Sequence, residues 1–248
     1  MQELINQYFD VGFMADHFDE VLEGFWFTIQ LSVVSGVLAL IWGLILARLR
    51  QLPGKGAAPI RFATIAYIDV FRGIPLLIMI LLISGSIPLL DFLPEWLRIP
   101  QWFGRPDNFW FGVFAITITY GAYMAEVYRS GIESVPRGQM EASRSLGMSH
   151  RQAMRYVIVP QAVRKVFAPL LNDFIALMKD TTLVSAIALS EVALVGRDLQ
   201  SSFLNSSGLI LGAIMFLVVT LPLARLVDRL IARDQGRFTR GAPRVEAL

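Results

Sequence analysis

The segment GIESVPRGQMEASRSLGMSHRQAMRYVIVPQA, Gly131 to Ala162, sets Glu133, Arg137, Glu141, Arg144, His150, Arg151 and Arg155 into an otherwise apolar chain. Its punctuation is dense. Ser134 and Pro136 suit a helix start and Gly147 a left-handed C-terminal cap, which predicts a short helix from about Arg137 to Leu146. Ser149 followed by Gln152 forms a capping box, with Met148 and Ala153 placed as the hydrophobic staple, so a second short helix begins at once. The chain therefore turns sharply at Gly147. Glu141, Ala142, Ser143 and Gly147 set small side chains beside one carboxylate, a surface suited to another protein's groove. An amphipathic loop lying on lipid headgroups is the alternative.

What surrounds the segment says where it lies. Of 248 residues, 55% are hydrophobic and only 17% charged, and the mean hydropathy is +0.56, far from the roughly 25% charged composition of soluble domains. This composition predicts an all-α integral membrane protein whose spans are themselves the domain. Gly24 to Leu49 is a nearly unbroken apolar run ending in Arg48 and Arg50; as a helix it covers about 39 Å. The loop after it holds Arg50, Lys55 and Arg61 and no acid, which marks it cytoplasmic and puts the N-terminus outside. A second span runs from about Phe62 to Leu90, broken at Arg72 to Pro75, and leads into an external loop rich in Trp and Pro. The third returns to the cytoplasm near Arg129, so the opening segment lies inside. A fourth helix ends near Lys179, an irregular outer stretch follows to about Phe203, and a fifth span ends in Arg225, Arg229 and Arg233.

Five helices with the N-terminus outside and the C-terminus cytoplasmic satisfy the charge bias at every turn. The expected organisation is an extracytoplasmic segment over 1–23, a transmembrane domain over 24–233 with its cytoplasmic loop at about 131–160, and a polar, disordered tail over 234–248. The acidic N-terminus lacks the positive region of a signal peptide, so the first span is expected to be retained. The absence of cysteine removes disulfides, thiolate metal sites and a thiol nucleophile. Nothing in the charge distribution suggests nucleic acid.

Polar residues sit where lipid is expected. Asn172, Asp173, Ala176, Lys179 and Asp180 fall on one stripe of the fourth helix. Each bilayer charge costs about 2.5–3.5 kcal/mol on insertion scales, so the stripe faces protein or water. Asp69 and Arg72 can pair three residues apart, and Pro75 opens the hydrogen-bond ladder beside them. Broken membrane helices often lie near ligand paths. One reading is a pathway with both signs of charge for a zwitterionic solute, to which Thr117, Thr119 and Tyr123 could contribute. The other is a buried ion pair and an interhelical polar seam. No phosphate loop, HExxH or related histidine pair occurs, and no metal site is suggested. A transporter of this kind uses an ion gradient or borrows an ATPase from another chain.

The opening segment resembles the signature of binding-protein-dependent ABC importer permeases: Glu-Ala-Ala, three residues, Gly, nine residues, then Ile-x-Leu-Pro. Here Glu141-Ala142-Ser143, Gly147 and Val157-Ile158-Val159-Pro160 keep that spacing. The stretches RGIPLL, AYMAEVYRSGIESVPRGQMEASRSLG and PQAVRKVFAPLLNDFIALMKDTTLVSAI look like the polar amino acid subfamily, over about Gly24 to Arg233. Ser143 replaces the signature's Ala, and Thr182 the subfamily's usual Ser.

The resemblance implies the type I importer (MetI-like) fold in a bacterial cytoplasmic (inner) membrane. It implies a second permease chain, identical or homologous, two ATP-binding subunits that carry the ATP and Mg, and an extracytoplasmic amino-acid-binding protein. This chain is then expected to bind no cofactor and to be no enzyme. The implied ATPase-coupling residues are Gly138, Gln139, Glu141, Ala142 and Gly147. For the solute path the resemblance supplies no firm motif; polarity and position point to Asp69, Arg72, Thr117, Asn172 and Asp173. An ion-coupled transporter, an importer of another small polar solute, and a membrane scaffold that recruits a cytosolic partner are the competing classes.

Overall fold

Acidic residues in a first turn, an apolar body and two arginines in the last turn make a favourable long helix, and Phe18–Arg50 forms one (α2), with Asp19 and Glu20 at its start and Arg48 and Arg50 at its end. The computed structural model of the chain describes residues 7–241. The first six residues of the N-terminal segment and residues 242–248 of the tail lie outside that range. A short helix precedes α2, Val11–Asp16 (α1), capped by the Asp10 side chain, which accepts from the Phe13 N–H at 3.0 Å. Val21 and Phe25 near the start of α2 are buried, so the helix begins six residues ahead of the expected apolar boundary at Gly24.

The next apolar stretch is two helices, Ala58–Gly73 (α3) and Leu76–Ser86 (α4), which meet at 106°. Ile74 and Pro75 between them are extended, with ψ of 129° and 134°. A residue before proline is held away from the helical region, and Pro75 has no N–H to continue the ladder. The break expected at Arg72 to Pro75 is present, and it makes a bent pair rather than a kinked rod.

Asp107–Glu133 (α5) is the central post, packing against α2, α3, α4, the later helix over Val159–Asp180 and the 3₁₀ stretch Thr181–Ile187. Its Phe109, Val113, Ile116, Tyr120 and Met124 lie in the main core with Leu31, Leu76, Ile80, Leu177 and Val184. Arg137–Ser145 (α6) follows, and then an unbroken helical rod. That rod starts with His150–Ala153, passes through a π turn at Met154–Ile158, and continues as Val159–Asp180 (α7). The second short helix expected after Gly147 is therefore the base of the fourth long helix. The capping box forms there as expected: Ser149 accepts from the Gln152 N–H and the Gln152 side chain from the Ser149 N–H.

Beyond Asp180 the chain was expected to be irregular. It instead makes a 3₁₀ stretch, Thr181–Ile187, and a twelve-residue helix, Val192–Phe203 (α8). Two forces order it: the buried Glu191 carboxylate accepts from the Ala193 and Leu194 N–H groups, both at 2.9 Å, and Val192 and Leu199 pack with Val21, Phe25 and Leu211. The last helix, Ser207–Gly241 (α9), runs past Arg233, where a disordered tail was expected. No strand occurs among the described residues.

By length and composition α2 and residues 207–232 of α9 are apolar enough to cross a membrane, and the α3–α4 pair is a third if counted as one span. α5 and α7 carry more charge; α5 is largely covered by its neighbours, whereas α7 buries one face and leaves Val163 and Phe167 on the other more than half exposed.

Candidate functional site

Two places gather the polar residues of this apolar chain. The first is the α5–α6–α7 corner. α6 ends in a Schellman turn: the Met148 N–H donates to the Ser143 carbonyl at 3.2 Å and the Gly147 N–H to that of Arg144 at 3.0 Å. Gly147 has φ +81°, the left-handed value this motif needs. The Arg144 guanidinium donates to the Met148 carbonyl at 2.7 Å and fastens the turn from outside.

One face of α6 is spent on holding it in place. Met140 packs with Val135, Ile158 and Ala162, and Ser143 is buried, its hydroxyl donating to the Gln139 carbonyl at 2.7 Å. The rest of the helix faces outward: Gly138, Gln139, Glu141, Ala142 and Gly147 are all exposed, although the Gln139 side-chain oxygen also accepts from Gln161 Nε2 at 3.5 Å. The Glu141 carboxylate has no partner among the described residues. Leu146, which the sequence reading passed over, is 84% exposed at the helix end. A large apolar side chain in water beside an unpaired carboxylate and a glycine is an arrangement suited to being covered.

Above this corner an ion-pair chain ties two long helices together. Arg50 at the end of α2 pairs with Glu126, Arg129 pairs with Glu126 at 2.7 Å, and Arg129 also pairs with Glu133. The sequence reading missed it, although the helical spacing of 126, 129 and 133 carried the signal.

The second place is an open-sided cavity of about 400 Å³ at the α3–α4 break, lined also by α5 and α7. Arg72, Gly73, Ile74 and Pro75 form one wall, Thr119, Tyr120 and Tyr123 a second, and Asp173, Ala176 and Asp180 a third. The Arg72 guanidinium lies over the Tyr123 ring at 5.5 Å, and the Tyr123 hydroxyl donates to the Arg72 carbonyl at 3.1 Å. Leu76, the first residue of α4, also lines the cavity, and no side chain caps that helix start. Free N–H groups and a guanidinium thus share one wall. On the opposite wall Asp173 presents a buried Oδ2 with no hydrogen-bond partner among the described residues, and the buried Thr119 hydroxyl is likewise unpartnered.

Of the five residues expected along a solute path, Arg72 and Asp173 meet here. Asp69 is exposed, off the cavity, and forms no ion pair with Arg72 among the described residues. Thr117 has a buried, unpartnered hydroxyl away from the cavity; two residues from Thr119, it lies about 200° round α5. Asn172 and Lys179 are exposed outside the cavity, because one residue is about 100° of helix and the expected stripe is really two rows. Tyr120 was not among the residues expected there.

A family model described as "Binding-protein-dependent transport system inner membrane component" matches residues 39–233, well over half of the chain. The chain belongs to that family. Among curated relatives, this permease is 32% identical over 237 residues to the probable glutamine ABC transporter permease GlnM of Bacillus subtilis, covering 92% of this chain and all of that one. It is 34% identical to the glutamate transport system permease GluC of Corynebacterium glutamicum, over 88% of this chain and 97% of the relative. Among solved structures, a chain of an amino acid ABC transporter with histidines has a TM-score of 0.77 and 32% identity, over 89% of this permease and 96% of that chain. An inward-facing MetNI methionine transporter shares the fold, with a TM-score of 0.63 at 19% identity, over 83% and 93% of the two chains.

Proposed function

We propose that this permease is the membrane subunit of an ATP-driven importer and forms the path of a polar amino acid across the bacterial inner membrane. The observation that carries the reading is the cavity at the α3–α4 break. A polar amino acid has a carboxylate and an ammonium on one carbon. The cavity offers Arg72 with the uncapped start of α4 to the first, and the unpartnered Asp173 oxygen to the second. Relatives named for glutamine and glutamate, and a similar transporter solved with histidines, support the same solute class.

In this reading five spans place the N-terminus outside and the C-terminus in the cytoplasm. Two permease chains pair around the path, and an extracytoplasmic binding protein delivers the solute. Two ATPase subunits carry the ATP and Mg and seat the exposed face of α6, with Gly138, Gln139, Glu141, Ala142 and Gly147 at the contact. α6 is packed on the base of α7 through Val135, Ile158 and Ala162, and α7 carries Asp173 and Asp180 at its other end. Closure of the ATPase pair then moves one helix that reaches the cavity.

Uptake into proteoliposomes tests the proposal. Transport of a polar amino acid that needs ATP, an ATPase subunit and a binding protein is the expected result. Gradient-driven uptake by this chain alone would overturn it in favour of a secondary transporter, and no uptake under either condition would leave a scaffold.

A further inference from the structure

The loop over residues 87–106 joins α4 to α5 and lies between, not within, the stretches that resemble the polar amino acid subfamily. It carries four large apolar side chains that the other described residues leave bare: Leu89, Phe92, Trp96 and Phe103 are 77%, 80%, 62% and 92% exposed. We infer that this loop is a membrane anchor, with these side chains seated in phospholipid at the headgroup–acyl boundary. The leaflet is the outer one in the orientation proposed above. This role requires a membrane permease, which the family match supplies, and nothing of its solute.

α4 leads into the loop without a charged break. Its Ile78, Leu81 and Leu82 are each about half exposed, on a bent pair apolar enough to count as one span. From Leu82 to Leu93 the only charged residue is Asp91, so the apolar surface of the span runs on into the loop.

The loop backbone suits the same place. An N–H that leaves water for the membrane boundary needs a partner inside the chain. Pro88, Pro94, Pro100 and Pro106 have no N–H to satisfy. Elsewhere the loop winds into turns at Ile87–Leu89, Glu95–Arg98 and Trp102–Gly104. The N–H groups of Leu90, Leu93, Leu97, Arg98, Ile99 and Arg105 all donate to carbonyls within it, at 2.9–3.2 Å.

The bare side chains are also held out in a fixed arrangement. The Trp102 ring packs against Trp96, Trp110 and Phe114, with centroids 6.0, 5.2 and 5.8 Å away. Its indole N–H donates to the Trp96 carbonyl, and the Trp110 indole N–H donates to the Trp102 carbonyl, both at 3.1 Å. These bonds pin the loop to the start of α5. Phe103 takes a left-handed φ of +55°, costly for a residue with a Cβ, and its ring is the barest of the four. Burial of that ring in lipid offsets the strain. A charged protein surface is a poor occupant, because Asp91 and Glu95 balance Arg98 and Arg105. Arg98 pairs with Asp91, and Arg105 lies over the Phe27 ring at 4.9 Å. What faces outward is aromatic, the composition of an interfacial belt.

The chain contains no cysteine, so Phe92→Cys, Trp96→Cys and Phe103→Cys each give the permease one site for a nitroxide label. Lys55→Cys, in the exposed loop after α2, is the aqueous reference. The assembled transporter, with cysteine-free partner subunits, is placed in nanodiscs of phosphatidylethanolamine and phosphatidylglycerol. Power saturation by oxygen, which concentrates in lipid, and by a nickel chelate, which stays in water, reads the depth of each label against lipids labelled at known depths. The three loop labels are expected about 5–10 Å into the boundary.

Nickel accessibility equal to that at Lys55→Cys would overturn the anchor. So would a loop closed to both reagents, the mark of a second permease chain covering it. A loop open to nickel until the extracytoplasmic binding protein is added would be a protein-docking face instead. Trp96→Phe, which keeps a ring beside Trp102, checks the unlabelled loop. It is expected to remove more of the tryptophan quenching by lipid brominated near the glycerol than by lipid brominated at the chain ends, and no difference between the two would also overturn the anchor. Uptake plays no part in either readout, so the proposed function and the anchor fail separately.

Discussion

Replacing Gly147 by alanine tests the α6 corner cleanly, because the cost can be worked from one dihedral angle. The residue has φ +81°, and a Cβ built there meets nothing within 4 Å. No collision arises, so the whole penalty is the left-handed backbone, about 1–2 kcal/mol for an L-residue with a Cβ. The Schellman bonds from Met148 and Gly147 exist only in that conformation. Relaxing the strain therefore releases both of them and re-aims Leu146. A shift of that size changes an equilibrium by a factor of roughly 5–30.

On the proposed function that factor falls on the fraction of α6 correctly presented. Gly147→Ala is therefore expected to weaken permease–ATPase assembly by about 5–30-fold, and binding-protein-stimulated ATP hydrolysis with it. Gly147→Asn should lose less, since asparagine tolerates the left-handed region, and Gly147→Val more. The spans should keep their thermal stability in all three, because the turn is exposed and far from the main core. Affinity titration of the ATPase subunit and thermal unfolding of the permease read the two quantities separately. If Gly147→Val binds the ATPase as tightly as the parent, or lowers the melting temperature of the spans, the account of this turn is wrong.

Gly131→Ala should do the reverse: its Cβ would collide with Val166 Cγ1, with the Ala162 carbonyl 3.4 Å away, and overpacking of this kind costs about 1–3 kcal/mol. Thermal unfolding of the permease alone would register it. Gly138→Ala meets nothing within its own chain, so unchanged stability with weaker ATPase assembly is expected, and full assembly would remove Gly138 from the contact. Glu141→Lys reverses an exposed, unpaired carboxylate and is expected to abolish coupling while the spans stay folded; normal ATP-dependent uptake would refute the docking role. Asp173→Ala should change solute selectivity and rate more than assembly. Unchanged uptake kinetics would return Asp173 to a packing role.

The readable features were local. The capping box at Ser149 and Gln152, the left-handed Gly147 and the break before Pro75 are each dictated by a few neighbouring residues acting on their own backbone, and each lies where the sequence put it. The ordered stretch after Asp180 was not readable, because its order is tertiary. Glu191 caps α8 only where that helix is buried against Val21, Phe25 and Leu211, and none of those contacts is a sequence neighbour. The polar stripe of α7 failed for a geometric reason. Period alone groups 172, 173, 179 and 180, yet a cavity edge cuts between rows about 100° apart, and that edge is drawn by Arg72, Tyr120 and Tyr123 from other helices.

In the proposed function, that geometry bears on how a push at the α6 corner reaches the solute. The helical rod from His150 to Asp180 is unbroken, but it is not uniform: a π turn occupies Met154–Ile158 and Pro169 interrupts the hydrogen-bond ladder midway. Below Pro169 the rod packs against the α6 corner, through Ile158, Ala162 and the contact of Val166 with Gly131. Above it lie Asp173, Ala176 and Asp180. A proline inside a helix removes one bond and bends it there, so the two halves can change their mutual angle at small cost. The upper half is also tied to α5 by the Tyr120–Asp180 bond at 2.8 Å. α5 is in turn fixed to α2 by Arg50 and Glu126. A movement of the lower half that bends the rod at Pro169 therefore leaves the upper half, with Asp173 and Asp180, attached to the α2–α5 block. Arg72 is tied to the same block, because the Tyr123 hydroxyl donates to its carbonyl at 3.1 Å, so on the proposed function a push from below separates the two charged walls only by breaking the Tyr120 or the Tyr123 tie.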